Sequence, residues 1–182
     1  MESTENDRDQ VSRRGLLQAG IATASVLAIG AMVSGTEEVR AEAPPISTMR
    51  ETVTLAAAQA LIAAGMVKAQ EINVPMTLVI VDESGVLKAF ARMDGNSLAS
   101  VDLVQAKAFT AAAFRAPTHV LAERNKDDPV RIASFTGFPR VTLLGGGYPI
   151  MHGNVVVGGV GAGGGTPEQD QMVAEAALAA FA

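Results

Sequence analysis

The sequence contains no cysteine among its 182 residues. The protein therefore forms no disulfide, and no thiolate can serve it as a nucleophile, a metal ligand or a haem ligand. A protein without disulfides must be held together by its apolar core or by contacts between subunits. Cysteine catalysis and zinc sites built on cysteine are excluded.

Tryptophan is also absent, and the chain has only 1 tyrosine and 6 phenylalanines. Alanine and glycine fill much of the sequence instead. Small side chains let helices and strands approach closely, but each one buries little apolar surface, which is worth about 25 cal/mol per Å². Assembly into a homo-oligomer would bury additional surface, and we expect an oligomer for this reason.

Positive charge is in the minority. The chain has 14 basic and 19 acidic residues, a net charge of −5, and the balance stays negative without the first 41 residues. Proteins that bind nucleic acids usually carry a basic surface. The composition therefore predicts no nucleic-acid partner.

The first forty residues have the layout of an export signal. The run Ser12-Arg13-Arg14-Gly15-Leu16-Leu17 places paired arginines before an apolar stretch that extends to residue 33. This layout is typical of a secretory signal, and the arginine pair indicates the twin-arginine route. A retained membrane span is the alternative, but the stretch is rich in small residues and is followed by two small-x-Ala sites. We expect cleavage after Ala41 rather than after Ala43, because Pro44 would hinder the protease there.

The predicted organisation is a signal at residues 1–41, a linker at 42–48 and a single domain at 49–182. We expect the processed protein to be periplasmic or secreted, with no stable membrane span. The remaining length is common for one domain.

Periodicity and turn residues predict an α+β domain. Short turns between neighbouring strands favour a central five-stranded antiparallel sheet flanked by helices. Thr166, Pro167 and Gln169 predict a capping box at the start of the last helix. The predicted helices begin at Ser47 or Thr48 and run to about residue 71, begin at Ser97 or Ser100 and run to about residue 115, cover residues 119–124, and begin at Thr166. The predicted strands cover residues 76–81, 86–92, 141–144, 148–151 and 155–160.

Two glycine clusters lie at residues 145–147 and 158–165. Within the second cluster, the spacing of the glycines matches the fingerprint of dinucleotide-binding proteins. Too few residues follow the cluster, however, to form the βαβ unit that such a site requires. Two interpretations remain. In the first, the glycines allow close backbone approach and positive φ at the end of a strand. In the second, the glycine loop and the start of the following helix bind an anion. Glu168 and Asp170 in that first turn would repel an anion.

The two histidines differ in their settings. His119 opens a predicted helix, and imidazole is a common haem ligand. His152 lies in a predicted tight turn, where a histidine is usually solvated. Their spacing does not match a zinc site. Met66 and Met172 are expected to fill gaps in the core rather than to bind a metal.

Polar residues on otherwise apolar elements form another candidate site. Lys107 lies in the middle of a helix among alanine and phenylalanine, and Thr110 is one turn further on the same face. A buried lysine needs a carboxylate partner or must lose its charge, and either case can mark a site. The alternatives are a structural ion pair, with Asp94 or Asp102, and a surface lysine.

Five motifs occur along the chain in a specific order and spacing. They are Arg92-Met93-Asp94-Gly95, Lys107-Ala108-Phe109-Thr110-Ala111, Gly146-Gly147-Tyr148-Pro149-Ile150, Val157-Gly158-Gly159-Val160-Gly161 and Gly164-Gly165-Thr166-Pro167-Glu168-Gln169-Asp170. From about residue 46 to residue 182 the sequence thus resembles the GlcG/HbpS-like family, which includes the C-terminal domain of PduO-type proteins. The resemblance implies a profilin-like domain and dimers that build larger assemblies. Some members of the family are exported haem-binding proteins, and one type is a partner of a sensor kinase, so the resemblance implies these functions as hypotheses to test.

The resemblance also implies which residues form the site. Thr118 and His119 would be the iron-facing pair, with His119 as the metal ligand. The further residues expected to bind the haem or small ligand are Arg92, Lys107, Thr110 and Asp170. No catalytic residue is implied.

The resulting expectation is an exported, oligomeric haem- or small-ligand-binding protein that is accessory to sensing or uptake, with a sensor protein as a partner. One alternative is a small-molecule enzyme of a catabolic pathway, acting on carbonyl or amino compounds with Lys107 or Asp170 as the acid–base group. A sensory accessory protein without a ligand of its own is the third hypothesis.

Overall fold

A computed structural model of the chain describes residues 45–181. The predicted signal at 1–41 and the first residues of the predicted linker lie outside this range. Among the described helices, none is long and apolar enough to cross a membrane. In chain order the elements are α1 (Leu55–Glu71), β1 (Thr77–Asp82), β2 (Leu87–Arg92), α2 (Ser100–Phe114), α3 (Thr118–Asn125), α4 (Pro129–Thr136), β3 (Gly147–His152), β4 (Val155–Gly163) and α5 (Pro167–Ala179).

The strands of this region form an antiparallel sheet with the order β2-β1-β4-β3. β1 pairs with β2 across a short turn and with β4 along its whole length. β3 is an edge strand beside β4, and Pro149 is tolerated there because an edge strand needs fewer N–H donors. The predicted α+β class and antiparallel sheet are confirmed, but the sheet has four strands in place of the predicted five.

The strand predicted at residues 141–144 does not form. The Thr142 N–H donates to the Thr110 hydroxyl oxygen at 3.0 Å, and the Leu144 N–H donates to the Thr142 hydroxyl at 3.2 Å. Because side-chain oxygens accept these bonds, the N–H groups do not enter a ladder with a neighbouring strand. Gly146, with φ 104°, then leads the chain into β3.

Helices cover both faces of the sheet. α1 and α5 pack on one face, where Leu78 and Ile80 of β1 belong to the larger apolar core. α2 packs on the opposite face, against Val79 and Val81. Successive strand residues point to opposite faces, so a central strand covered on both sides is apolar along its length.

α2 lies close to β4 because glycines occupy the strand face beneath it. A Cβ atom on Gly159 would overlap the carbonyl oxygen of Ala108, and one on Gly161 would overlap that of Val104. The interpretation that these glycines permit close backbone approach is confirmed. The small residues of the sequence thus bring a helix and a strand into direct backbone contact.

The start of α1 differs from the prediction. Thr54 caps this helix, in place of Ser47 or Thr48, and its hydroxyl accepts a first-turn N–H at 3.1 Å. The residues before the cap form no helix or strand, and the Val53 N–H donates to the Val157 carbonyl at 2.9 Å. This contact attaches the N-terminal segment to β4.

The start of α5 agrees with the prediction. The Gln169 N–H donates to the Thr166 hydroxyl at 3.3 Å, and the Thr166 N–H donates to Gln169 Oε1 at 2.9 Å, which completes the capping box. Met66 packs against the core as expected. Met172 is 43% exposed, so its predicted core position is wrong; it lies on the outer side of α5.

Candidate functional site

Lys107 on α2 has its charge partner on α5. Its Nζ lies 2.5 Å from Oδ2 of Asp170 and donates to the Ala162 carbonyl at 3.0 Å. The two charged residues are only 2% and 5% exposed. A structural ion pair is therefore observed, but its expected partners were wrong, since Asp94 and Asp102 lie exposed at the surface.

The same pair fixes two neighbouring segments, the glycine turn at residues 145–147 that leads into β3 and the start of α5. The second carboxylate oxygen of Asp170 accepts the Gly165 N–H at 3.0 Å. A Cβ atom on Gly146 would lie 3.2 Å from Lys107 Nζ, so the turn passes directly over the pair. Both charges are bonded inside the protein. This geometry suits a structural role and presents neither group to a substrate.

The two threonine hydroxyls expected at the site bond to the backbone. Thr118 is fully buried; its Oγ1 accepts the Gly147 N–H at 3.0 Å and lies 3.5 Å from the carbonyl oxygen of the same residue. The Thr110 hydroxyl donates to the Ala106 carbonyl at 2.7 Å and accepts the Thr142 N–H. Both hydroxyls hold the segment that leads into β3.

Arg92 belongs to a different network at the end of β2. Its guanidinium donates to the Asn96 carbonyl at 3.1 Å. The Asn96 amide in turn donates to the Thr77 hydroxyl at 2.9 Å and to the Gly163 carbonyl at 3.0 Å. This network joins the turn after β2 to the end of β4, and the Arg92 side chain stays exposed.

His119 packs against Tyr148. The ring centroids are 5.6 Å apart, and Nδ1 of His119 is buried without a hydrogen-bond partner among residues 45–181. The Tyr148 hydroxyl donates to Oε1 of Glu175 at 2.6 Å. Burial, together with the Glu175 carboxylate, raises the pKa of Tyr148 above its ordinary value, so the phenol stays protonated.

An apolar cleft of about 700 Å³ lies between the segment before α1, strand β3 and the end of α5. At its polar rim, Nδ1 of His152 lies 2.7 Å from Oε2 of Glu51. Both of these side chains are largely exposed, as the turn position of His152 predicted. Clefts with apolar walls and a few polar groups are the usual form of small-molecule sites. The walls include Val53, Ala57, Leu61, Ile150, Leu178 and Phe181.

A second groove, of about 830 Å³, follows the outer side of α2. Asp102 and Gln105 give its wall a polar character. The Arg140 guanidinium beside it lies 4.3 Å from the ring centroid of Phe109 and donates to the Gly85 carbonyl. Because the Asp102 carboxylate and the Gln105 amide lie on its wall, this groove suits an apolar ligand less well than the cleft lined by His152.

Comparison with known proteins assigns the chain to a family. A family model described as haem degrading protein HbpS-like matches residues 53–179. The chain belongs to this HbpS-like family. The resemblance drawn from the sequence motifs is confirmed, and the matched range of the HbpS-like chain contains both histidines and the Lys107–Asp170 pair.

Individual relatives agree with this assignment. The HbpS-like chain is 38% identical over 131 residues to a 15.0 kDa protein of Citrobacter freundii from the dhaT–dhaS intergenic region, which covers 71% of the chain and 92% of that relative. The solved structure of a PduOC:heme complex is 30% identical with a TM-score of 0.67, covering 71% and 95% of the two chains. HbpS of Streptomyces reticuli, in a doubly substituted form, is 27% identical with a TM-score of 0.69, covering 86% and 99%.

The structure brings some of the predicted site residues together and separates others. Lys107, Asp170 and Thr118 converge on the glycine turn before β3, whereas Arg92 lies in the network of Asn96. Sequence reasoning missed two pairs. They are Tyr148 with Glu175 and His152 with Glu51, whose members are 27 and 101 residues apart and share no local pattern.

Proposed function

We propose that this protein binds haem in the apolar cleft between its N-terminal segment, β3 and α5. The observation that carries the proposal is the cleft itself, about 700 Å³ with apolar walls and an imidazole at the rim. Family membership and the similarity to PduOC, whose solved structure is a haem complex, support this choice of ligand. Haem combines an apolar ring with an iron that accepts imidazole nitrogen, and the cleft offers a partner to each.

The donor set of the chain limits how haem iron could be held. Cysteine is absent, and the hydroxyl of the only tyrosine, Tyr148, is bonded to Glu175. His119 and His152 are therefore the two imidazole donors. When bound, haem supplies an iron centre for ligand binding or redox chemistry. The protein supplies apolar walls that exclude water and an imidazole that orients the group.

Titration of the purified protein with hemin tests this proposal. We expect a saturable change of the Soret band. Ala57→Trp would place a large ring into the cleft and should weaken binding by about tenfold or more, because overpacking costs about 1–3 kcal/mol. Ala63→Trp, on the exposed side of the same helix, is the matched control and should bind normally. Unsaturable association, or equal loss in both variants, would overturn the proposal.

We further propose that the protein is exported by the twin-arginine route to the periplasm or the exterior. The sequence of residues 1–41 supports this proposal. An exported haem-binding protein suits a role accessory to sensing or uptake, with a sensor protein as partner and a dimer-based homo-oligomer as the working form. Replacing Arg13 and Arg14 by lysine should retain the protein in the cytoplasmic fraction; unchanged export would contradict this route. Light scattering of the purified protein measures the oligomer.

A further inference from the structure

The polar rim of the cleft is built by two residues that are distant in sequence. His152 ends β3, and Gly153, with φ 57°, turns the chain back into β4. Glu51 belongs to the segment before α1, which attaches to β4 through Val53. The hydrogen bond between His152 Nδ1 and Glu51 Oε2, at 2.7 Å, joins these segments at the cleft.

This hydrogen bond determines which imidazole nitrogen is available. A carboxylate oxygen only accepts, so Nδ1 of His152 carries the proton and donates to Glu51. In the neutral ring, Nε2 then keeps its lone pair for another partner. Histidines that bind metals commonly donate their second nitrogen to a carboxylate in this way, which fixes the ring and makes the ligand more basic.

His119 has a different environment. Its Nδ1 is buried and has no hydrogen-bond partner among the described residues, and its ring packs on Tyr148. Within residues 45–181, no carboxylate orients this imidazole through Nδ1. His119 is also absent from the lining of the cleft.

We infer that His152 would hold the haem iron through Nε2 and that Glu51 would position His152. This inference rests on the proposed haem function. His152 would be the group that touches the iron, whereas Glu51 would act through His152 as a positioning residue. The aliphatic walls of the cleft would contact the porphyrin ring, and the rim would contact the metal.

Three measurements separate the iron ligand from the apolar cleft. His152→Ala should lower hemin affinity at least about tenfold and remove the absorption and resonance Raman signature of histidine-bound iron. The same variant should still bind metal-free protoporphyrin, followed by its fluorescence, because that ring needs only the walls. Added imidazole should restore the signature in His152→Gly.

The positioning role of Glu51 has its own test. Glu51→Gln keeps a hydrogen-bonding side chain but removes the charge, and it should lower hemin affinity about tenfold while leaving protoporphyrin binding intact. Glu71→Gln, an exposed carboxylate at the far end of α1, is the matched control and should not change either ligand. Equal affinities of Glu51→Gln and Glu71→Gln would refute the role of Glu51.

The outcomes also separate this inference from the proposed function. If His152→Ala keeps the histidine signature and His119→Ala loses it, the ligand assignment is wrong and haem binding stands. If the unsubstituted protein binds neither hemin nor protoporphyrin, the proposed function itself fails. Retention of the signature in both single variants also overturns the assignment.

Discussion

Lys107 and Asp170 form a buried ion pair that joins α2 to α5, with 2.5 Å between Nζ and Oδ2. The lysine also donates to the Ala162 carbonyl in β4, and the aspartate also accepts the Gly165 N–H before α5. One pair of side chains thus fixes two helices and the end of a central strand.

Breaking the pair should destabilise the fold strongly. Lys107→Met leaves the Asp170 carboxylate buried without its counter-charge, and such losses cost about 3–5 kcal/mol. Urea unfolding followed by circular dichroism measures the change. The double variant Lys107→Met with Asp170→Leu should recover much of the stability, because no uncompensated charge remains. A single variant as stable as the unsubstituted protein would show that the pair is not required.

Adding a methyl group beneath α2 should also destabilise the protein. Gly159→Ala drives a Cβ atom into the Ala108 carbonyl, and overpacking of this kind costs about 1–3 kcal/mol. Gly137→Ala is the comparison variant, because its Cβ would lie 3.3 Å from the Ala133 carbonyl oxygen, a tight contact but far less severe than the overlap at Gly159, and the site is exposed. Thermal unfolding of both variants compares them. Equal melting temperatures would show that α2 can shift without cost.

Thr118 should act on stability and not directly on the ligand. Thr118→Val keeps the shape but leaves the buried Gly147 N–H without an acceptor, which costs about 1–3 kcal/mol. Thr118→Ser keeps the hydroxyl, so its free energy of unfolding should be closer to that of the unsubstituted protein. Hemin affinity, measured where each variant is folded, should be unchanged in both. Loss of the hemin spectrum in folded Thr118→Val would instead favour the iron-facing role that the family resemblance implies.

Tyr148 should ionise only in strongly alkaline solution. Burial is the main cause of its raised pKa, with the hydrogen bond and charge of Glu175 adding to it. The chain has 1 tyrosine, so the ultraviolet absorbance of tyrosinate reports on this residue alone. We expect no tyrosinate in the folded protein near pH 10, the ordinary value for tyrosine. Ionisation at the ordinary pH would contradict the burial of Tyr148 and its hydrogen bond to Glu175.

The same shift sets a pH dependence of stability. A phenol whose pKa is higher in the folded state than in the unfolded state stabilises the fold below about pH 10, and this contribution is lost as the pH rises towards the folded value. Tyr148→Phe should therefore show a shallower loss of stability above pH 10. Glu175→Gln should lower the pKa of Tyr148 only in part, because burial remains.

Local signals in the sequence predicted much of the fold. The capping box of Thr166 and Gln169 marks the start of α5 because it depends only on neighbouring residues. α4 was missed because Asp128 and Pro129 resemble a turn. In the structure Asp128 caps the helix and Pro129 takes its first position, where proline needs no N–H donor.

The predicted strand at residues 141–144 was wrong for a tertiary reason. Its apolar, β-branched composition favours a strand. The Thr110 hydroxyl, 32 residues earlier, accepts the Thr142 N–H instead. No residue near Thr142 in the sequence indicates that the Thr110 hydroxyl will be its acceptor.

The sequence by itself determined the absence of thiol chemistry, the small side chains that let α2 contact β4, and the order of most elements, because these depend on composition or on residues a few positions apart. Only the tertiary structure decided that Lys107 pairs with Asp170, 63 residues away, and that His152 meets Glu51, 101 residues away. Such pairs form where separate helices and strands pack together. That packing leaves no periodic pattern along the chain, so the sequence singled out Lys107, Asp170 and His152 but did not show which residues they contact.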